Sequence, residues 1–155
     1  MPNWCYNRIE VYADCDASEQ VEQLKEIYDI FENYDDPFNQ IFPIPDFKNI
    51  PNEKGELPKL EQKLNPDGSV FYTTYNFSDG TNDDRWYHWC IQNWGTKWDV
   101  SELCVEYADD EQLELTFSTA WSPPEGIIEK LREKYPDLSF SCFYDEPGME
   151  VAGYY

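Results

Sequence analysis

The sequence predicts an α+β chain of the split-βαβ type: an antiparallel sheet of four to five strands with two helices on one face. Three observations carry this expectation. Outside residues 35–98, apolar patterns of period two and period 3.6 follow one another in the order strand, helix, strand, strand, helix, strand, with one more strand at the end. The stretch from 35 to about 81 has another texture, holding six of the eleven prolines. The chain is one domain long at 155 residues, and its 41% hydrophobic and 17% aromatic shares suffice for a core. The expected organisation is therefore a single domain, 1–155, with an insertion at about 35–98 that carries a hairpin and an aromatic helix.

Residues 3–12 alternate, with Cys5, Ile9 and Val11 on one face and Trp4, Tyr6, Arg8, Glu10 and Tyr12 on the other, which is a strand. Asp16-Ala17-Ser18-Glu19 reads as a capping box, followed by Val21, Leu24, Tyr28 and Phe31 at helical spacing. Phe42-Pro43-Ile44-Pro45 excludes a helix interior. Asn65-Pro66-Asp67-Gly68 is a turn signal joining two arms, Lys59–Leu64 and 69–77, into a hairpin. A helix is expected over 83–94, with Asn82 or Asp83 as its cap and Gly95 as its stop. Its apolar arc (Trp86, Tyr87, Trp89, Cys90, Ile91, Trp94) is wide enough to meet neighbours on two sides, leaving Arg85, His88 and Gln92 outside.

The last third is rhythmic. Leu103, Val105 and Tyr107 alternate with Glu102, Cys104 and Glu106; Ala108-Asp109-Asp110 turns the chain; Leu113, Leu115 and Phe117 alternate with Glu114, Thr116 and Ser118. Ser122-Pro123-Pro124-Glu125 reads as a second capping box, Ile127, Ile128, Leu131 and Tyr135 as the stripe behind it, and Pro136 as its stop. Leu138, Phe140, Cys142 and Tyr144 mark a further strand, and Pro147-Gly148 turns into a last one over 149–155. This order is the ferredoxin-like one. It sends Ile9, Val11, Leu103, Val105, Leu113, Leu115, Leu138 and Phe140 to the helix side. Trp4, Tyr6, Arg8, Glu10, Glu106, Glu114, Phe143 and Tyr154 go to the other.

Charge narrows the function. Thirty-two acids against eleven bases give −21, a field that repels nucleic acid and anionic membrane and attracts basic surfaces. The rings Trp4, Tyr6, Phe143 and Tyr154 have the shape for stacking on RNA, but Glu10, Glu106, Glu114, Asp145 and Glu150 surround them without a basic stripe. No apolar run is long enough to span a membrane, and the N-terminal residues lack a secretory pattern, so the expected location is the cytoplasm of the host cell. Cys5, Cys15, Cys90, Cys104 and Cys142 are odd in number and irregularly spaced, which fits neither a disulfide framework nor a zinc site. Most read as small core residues under reducing conditions.

No catalytic constellation emerges. His88 and Cys90 are two apart on a helix and do not face each other. The run from Asp79 to Asp84 resembles a calcium loop but has no glutamate in the twelfth place, where Cys90 stands. No cofactor and no metal site are expected. The candidate ligand-binding residues are Asn93, Trp94, Lys97, Trp98, Asp99 and Trp121. They either staple the insertion to the sheet or wall a pocket in which Lys97 meets an anionic group. The candidate acidic interaction surface comprises Glu10, Glu106, Glu114, Asp109, Asp110, Asp145 and Glu150.

Five motifs stand in order along the chain: Met1-Pro2-Asn3-Trp4-Cys5-x-Asn7, Phe42-Pro43-Ile44-Pro45, Asn93-Trp94-Gly95-Thr96-Lys97-Trp98, Thr119-Ala120-Trp121-Ser122-Pro123-Pro124 and Glu146-Pro147-Gly148-Met149. Together they resemble the YubB-type, or Api-like, ferredoxin-like domain proteins of phages and plasmids. The resemblance covers essentially the whole chain and implies a ferredoxin-like fold and a mobile-element origin. With the charge, it sets the first functional expectation. This is a non-enzymatic accessory protein that binds a basic host protein through its acids, as a nucleic-acid mimic acting on a defence or nucleic-acid-handling enzyme. The alternative is a small-ligand binder, for a nucleotide-like molecule, built on Lys97 and the tryptophans. The hairpin's exposed edges also allow a homodimer by edge pairing.

Overall fold

The period-two patterns become strands of one antiparallel sheet. A computed structural model describes all residues, Met1–Tyr155, and contains β1 (Trp4–Tyr12), β2 (Lys59–Leu64), β3 (Val70–Asn76), β4 (Ser101–Ala108), β5 (Gln112–Ala120), β6 (Ser139–Glu146) and β7 (Val151–Tyr154). Its helices are α1 (Ser18–Asn33), α2 (Pro37–Ile41), α3 (Arg85–Asn93) and α4 (Glu125–Lys134), with a short 3-10 turn at Phe47–Asn49. The chain forms two compact units, one of Met1–Pro43 with Cys90–Tyr155, the other of Ile44–Trp89.

The larger unit holds a five-stranded sheet in the order β4-β5-β1-β6-β7. β1 is central, and the crossovers through α1 and α4 give the ferredoxin-like split βαβ. Alternation decides the faces. Cys5, Ile9 and Val11 of β1, Leu113, Leu115 and Phe117 of β5 and Cys142 of β6 are buried. Above them lie Leu24, Ile27 and Phe31 of α1 and Ile127, Ile128 and Leu131 of α4. Phe31 stacks on Phe117 with centroids 6.3 Å apart, and the Tyr135 hydroxyl, just past α4, donates to Glu26 of α1 at 2.8 Å. Edge strand β4 keeps the expected alternation, yet Leu103 and Val105 are only half-buried, and its pairing slips between Ser101 and Cys104 and between Val105 and Tyr107.

Both expected capping boxes give way to other arrangements. α1 starts at Ser18 with Ala17 before it and no side-chain cap. Asp16 instead donates its N–H to Asp14 Oδ1, while Gln20 Oε1 accepts the Asp14 N–H. At α4 the residue before the helix is Pro124, and the Ser122 hydroxyl donates to the Gly95 carbonyl. Asp16 stands two positions before α1 and Ser122 three before α4, so neither is the residue that precedes its helix. Helix α2 is new, with Pro37 in its first turn, where the missing N–H does no harm.

The unit Ile44–Trp89 lies inside the expected insertion at about 35–98. Its hairpin pairs Lys59 with Asn76, Leu60 with Tyr75, Gln62 with Thr73 and Lys63 with Tyr72, then slips by one so that Leu64 meets Val70. Arg85, expected on an outer face, is the unit's centre. Its guanidinium grips Asp83 through Nε at 2.8 Å and Nη2 at 2.9 Å, donates to the Phe47 carbonyl at 2.8 Å, and lies over the rings of Phe47 and Phe77. The apolar arc expected of α3 is correspondingly overestimated: Trp86, Tyr87 and Ile91 are exposed, and Cys90 is the helix residue that is fully buried.

Candidate functional site

The segment after α3 is built by close approach. Gly95 turns at φ +89°, and a Cβ there would fall 2.9 Å from the Pro123 carbonyl oxygen. Gly126, in the first turn of α4, is tighter still, because a Cβ would lie 1.7 Å from the Asn93 carbonyl oxygen; its N–H donates to the Trp94 carbonyl at 3.1 Å. Trp94 is 2% exposed, edge-on to Phe38 at 5.8 Å, and donates its indole N–H to the Phe42 carbonyl at 2.8 Å. The Asp99 carboxylate accepts the N–H groups of Phe38 and Asn39, each at 3.0 Å, and of Val100 at 2.9 Å. It thereby caps α2. Burial raises its pKa, against the pull of those three N–H groups.

The candidate ligand-binding residues therefore do not converge. Trp94 and Asp99 are taken up by the fold, and Asn93 lends its carbonyl edge to the close contact with Gly126. Trp98, 41% exposed, leans on Trp4 with centroids 6.4 Å apart, and the half-buried Lys97 places Nζ 4.1 Å over its ring. Trp121, 46% exposed, sits just past β5 at φ 70°, a left-handed conformation that is costly for so large a side chain.

The candidate acids fare differently. Glu10 of β1 lies directly opposite Glu114 of β5, and Tyr6 opposite Asp145 of β6. All four project from the face away from α1 and α4. Glu106, in the slipped part of β4, joins that face by accepting the Thr116 hydroxyl at 2.7 Å. Four candidate acids thus share one surface with Tyr6, Phe143 and Tyr154. Arg8, paired with Thr116 and Phe143, is the one base among its strand residues, its Nε 3.8 Å from Glu10. A cleft of about 360 Å³ opens there, lined by Tyr6, Arg8, Glu102, Thr116, Phe143 and Asp145 among others. Asp109 and Asp110 occupy the β4–β5 turn. Asp109 accepts the Tyr107 hydroxyl and the N–H groups of Glu111 and Gln112, which hold its pKa down. Glu150 is in the β6–β7 turn at φ 56°.

A second group, on the helix side, escaped sequence reasoning. Asn7 donates to Thr119 Oγ1 at 2.9 Å and accepts the Tyr155 hydroxyl at 2.8 Å, and Thr119 donates to the Ser122 carbonyl at 2.7 Å. Burial raises the Tyr155 pKa and pushes the Cys5 thiol up to about 11. Nearby, Glu146 is 1% exposed, and neither carboxylate oxygen has a hydrogen-bond partner. Its signal was the Glu146-Pro147-Gly148 motif: a Cβ at Gly148 would lie 2.6 Å from Asn3 Nδ2 and 2.8 Å from Glu146 Oε1.

The remaining candidate groups are thiols, one acidic cluster and the histidine. Burial pushes the Cys90 and Cys142 thiols up to about 11. Asp14, Cys15 and Asp16 bring one ligand atom each within 4.8 Å, but all are exposed, and a hydrogen bond to Glu111 holds the Cys15 thiol protonated, with its pKa at about 11. His88 is exposed and pairs with Asp84 at 3.4 Å. No helix is long and apolar enough to cross a membrane.

No curated protein matches the sequence. Among solved structures, the crystal structure of a protein api92 from Yersinia pseudotuberculosis is similar at a TM-score of 0.51 and 11% identity, over 99% of this chain and 93% of that one, which speaks to the fold alone. In sequence, residues 93–155 match the family model described as the ferredoxin-like domain in Api92-like protein, so this part of the chain, from the end of α3 through β7, is similar to that domain, and the fold is ferredoxin-like.

Proposed function

We propose that this chain is a non-enzymatic binding protein of phage or plasmid type that docks on a basic host-protein surface through the open face of its sheet. One observation carries the reading: Glu10, Glu106, Glu114 and Asp145 stand on that face together, with Glu10 and Glu114 directly opposed. Like charges opposite one another on neighbouring strands destabilise a sheet. Their placement works against folding and in favour of a cationic partner. Exposed rings among them, Tyr6 and Tyr154, supply apolar contact area. The opposed Glu10 and Glu114 stand about one strand spacing, roughly 5 Å, apart, and with Glu106 and Asp145 on the same face they imitate the charge of a phosphate backbone. The favoured partner is accordingly a nucleic-acid-handling or defence enzyme whose basic groove the face fills.

The test neutralises the face without touching the core. Immobilised wild-type chain is compared with a variant carrying E10Q, E106Q, E114Q and D145N, and with a control in which four exposed acids of α1 (Glu19, Glu22, Asp29, Glu32) become amides. The expected result is a host protein retained by the wild type and the α1 control, released at about 0.5 M salt, where screening cuts the attraction, and lost from the open-face variant. Equal loss from both variants, or no salt-sensitive capture at all, overturns the reading.

A further inference from the structure

We infer that the hairpin β2–β3 is a self-association element that pairs the outer edge of β2 with the same edge of a second copy of this chain, with Gln62 on the two-fold axis. The observations lie within the unit Ile44–Trp89. β2 and β3 form a sheet of two strands, and a hairpin of this size is marginal by itself. The outer edge of β3 is blocked at one end, because Asn76 bridges to Asn82, the Asp83 N–H donates to the Tyr75 carbonyl at 2.8 Å, and Asn82 Nδ2 donates to Thr74 Oγ1 at 2.8 Å. The outer edge of β2 has no such cover, and every β2 residue is exposed, Leu60 and Leu64 by more than half. A bare edge with large apolar side chains is a template for another strand.

The sequence of β2 says which strand. On an antiparallel edge only alternate residues direct their N–H and C=O groups outward, so two-fold self-pairing places a residue, not a peptide bond, on the axis. Centring on Glu61 or Lys63 sets like charge against like. Centring on Leu60 or Leu64 brings Pro58 or Pro66, which has no N–H to donate, into the ladder. Centring on Gln62 opposes Leu60 to Leu64, Glu61 to Lys63 and Gln62 to itself, each unlike pair occurring twice by symmetry. Leu60-Glu61-Gln62-Lys63-Leu64 is thus self-complementary in both charge and apolarity. Within each hairpin the Asn76 amide engages Glu61 Oε2 at 2.7 Å, which leaves Oε1 for Lys63 of the second copy. The placement also suits a strongly acidic chain. Five of the eleven bases (Lys48, Lys54, Lys59, Lys63, Arg85) but only eight of the 32 acids lie in Ile44–Trp89, so two chains meet there with the least repulsion.

Sedimentation velocity of the full chain tests the pairing, from about 1 to about 200 µM, the range in which a small interface fills. A concentration-dependent dimer is expected. Glu61→Lys and Lys63→Glu each convert two attractive pairs into repulsive ones and should weaken association about tenfold or more. The doubly swapped chain, E61K with K63E, restores unlike pairs and should regain the dimer, and an equimolar mixture of the two single variants should form the mixed dimer. All five positions changed or paired, 60–64, are exposed, so the fold is not at stake, and circular dichroism checks this. A monomeric wild type throughout the range, which would leave the edge to some other partner, overturns the proposal. So does a dimer that survives either single reversal, or a swapped chain that stays monomeric.

Discussion

Two residues separate Trp94 from Lys97, and the surroundings of each set opposite expectations for truncation. Trp94 fills the space beside Phe38 and ties its indole N–H to the Phe42 carbonyl, so Trp94→Ala should cost about 3–5 kcal/mol in urea unfolding. Lys97 offers only its Nζ to the exposed Trp98 ring, and Lys97→Ala should cost less than about 1 kcal/mol. A structural role for Trp94 was legible in the sequence as one of two readings, the other being a pocket wall. Asp99 was not. Its acceptors' partners, the N–H groups of Phe38 and Asn39, are about sixty residues away in the chain, and nothing local marks them. The polar group of Asn7, Thr119 and Tyr155 was hidden for the same reason: it joins the first strand to the last residue.

At the scale of elements, apolar periodicity was a sound guide where two faces differ and a poor one where the surroundings are crowded by rings. β1, β5 and β6 put the expected side chains inward, since each strand has one face on the helices. α3 misleads because aromatic residues occupy most of its circumference, and periodicity cannot tell which of them meet neighbours. The capping boxes misled because the motif fixes a spacing, not where the helix begins. Gly126 gives the sharpest element-scale prediction. Helix propensity alone would reward Gly126→Ala by about 1 kcal/mol. The Asn93 carbonyl oxygen lies only 1.7 Å from the Cβ that would be added, so the substitution should instead force α4 off the 93–95 segment. A loss of about 2 kcal/mol or more, read as a fall in thermal midpoint, is expected.

For the molecule as a whole, charge outweighs ion pairing. The chain carries −21, while of its four lysine and arginine ion pairs only Arg85–Asp83 is both short, at 2.8 Å, and largely sheltered. Self-repulsion among 32 acids therefore dominates the long-range electrostatics, and salt should screen it. The thermal midpoint should rise between about 0.01 and 0.5 M sodium chloride, whereas a protein held by surface ion pairs would lose stability over the same range. Calorimetry at fixed pH checks the sign.

By itself the sequence determined the order of the main strands and helices, the inward and outward faces of the sheet and the distinct texture of the proline-rich stretch. These follow from periodicity and composition, which act locally and so are written in runs of adjacent residues. Only the tertiary structure decided that Glu10 stands directly opposite Glu114 and that Asp145 joins their face beside Tyr6, that Arg85 is a centre and not a rim, and that Trp94 and Asp99 belong to the fold while Trp98 faces outward. Each of these depends on which distant strand or loop arrives beside a residue. That choice is made by the packing of the whole chain, which no local pattern encodes.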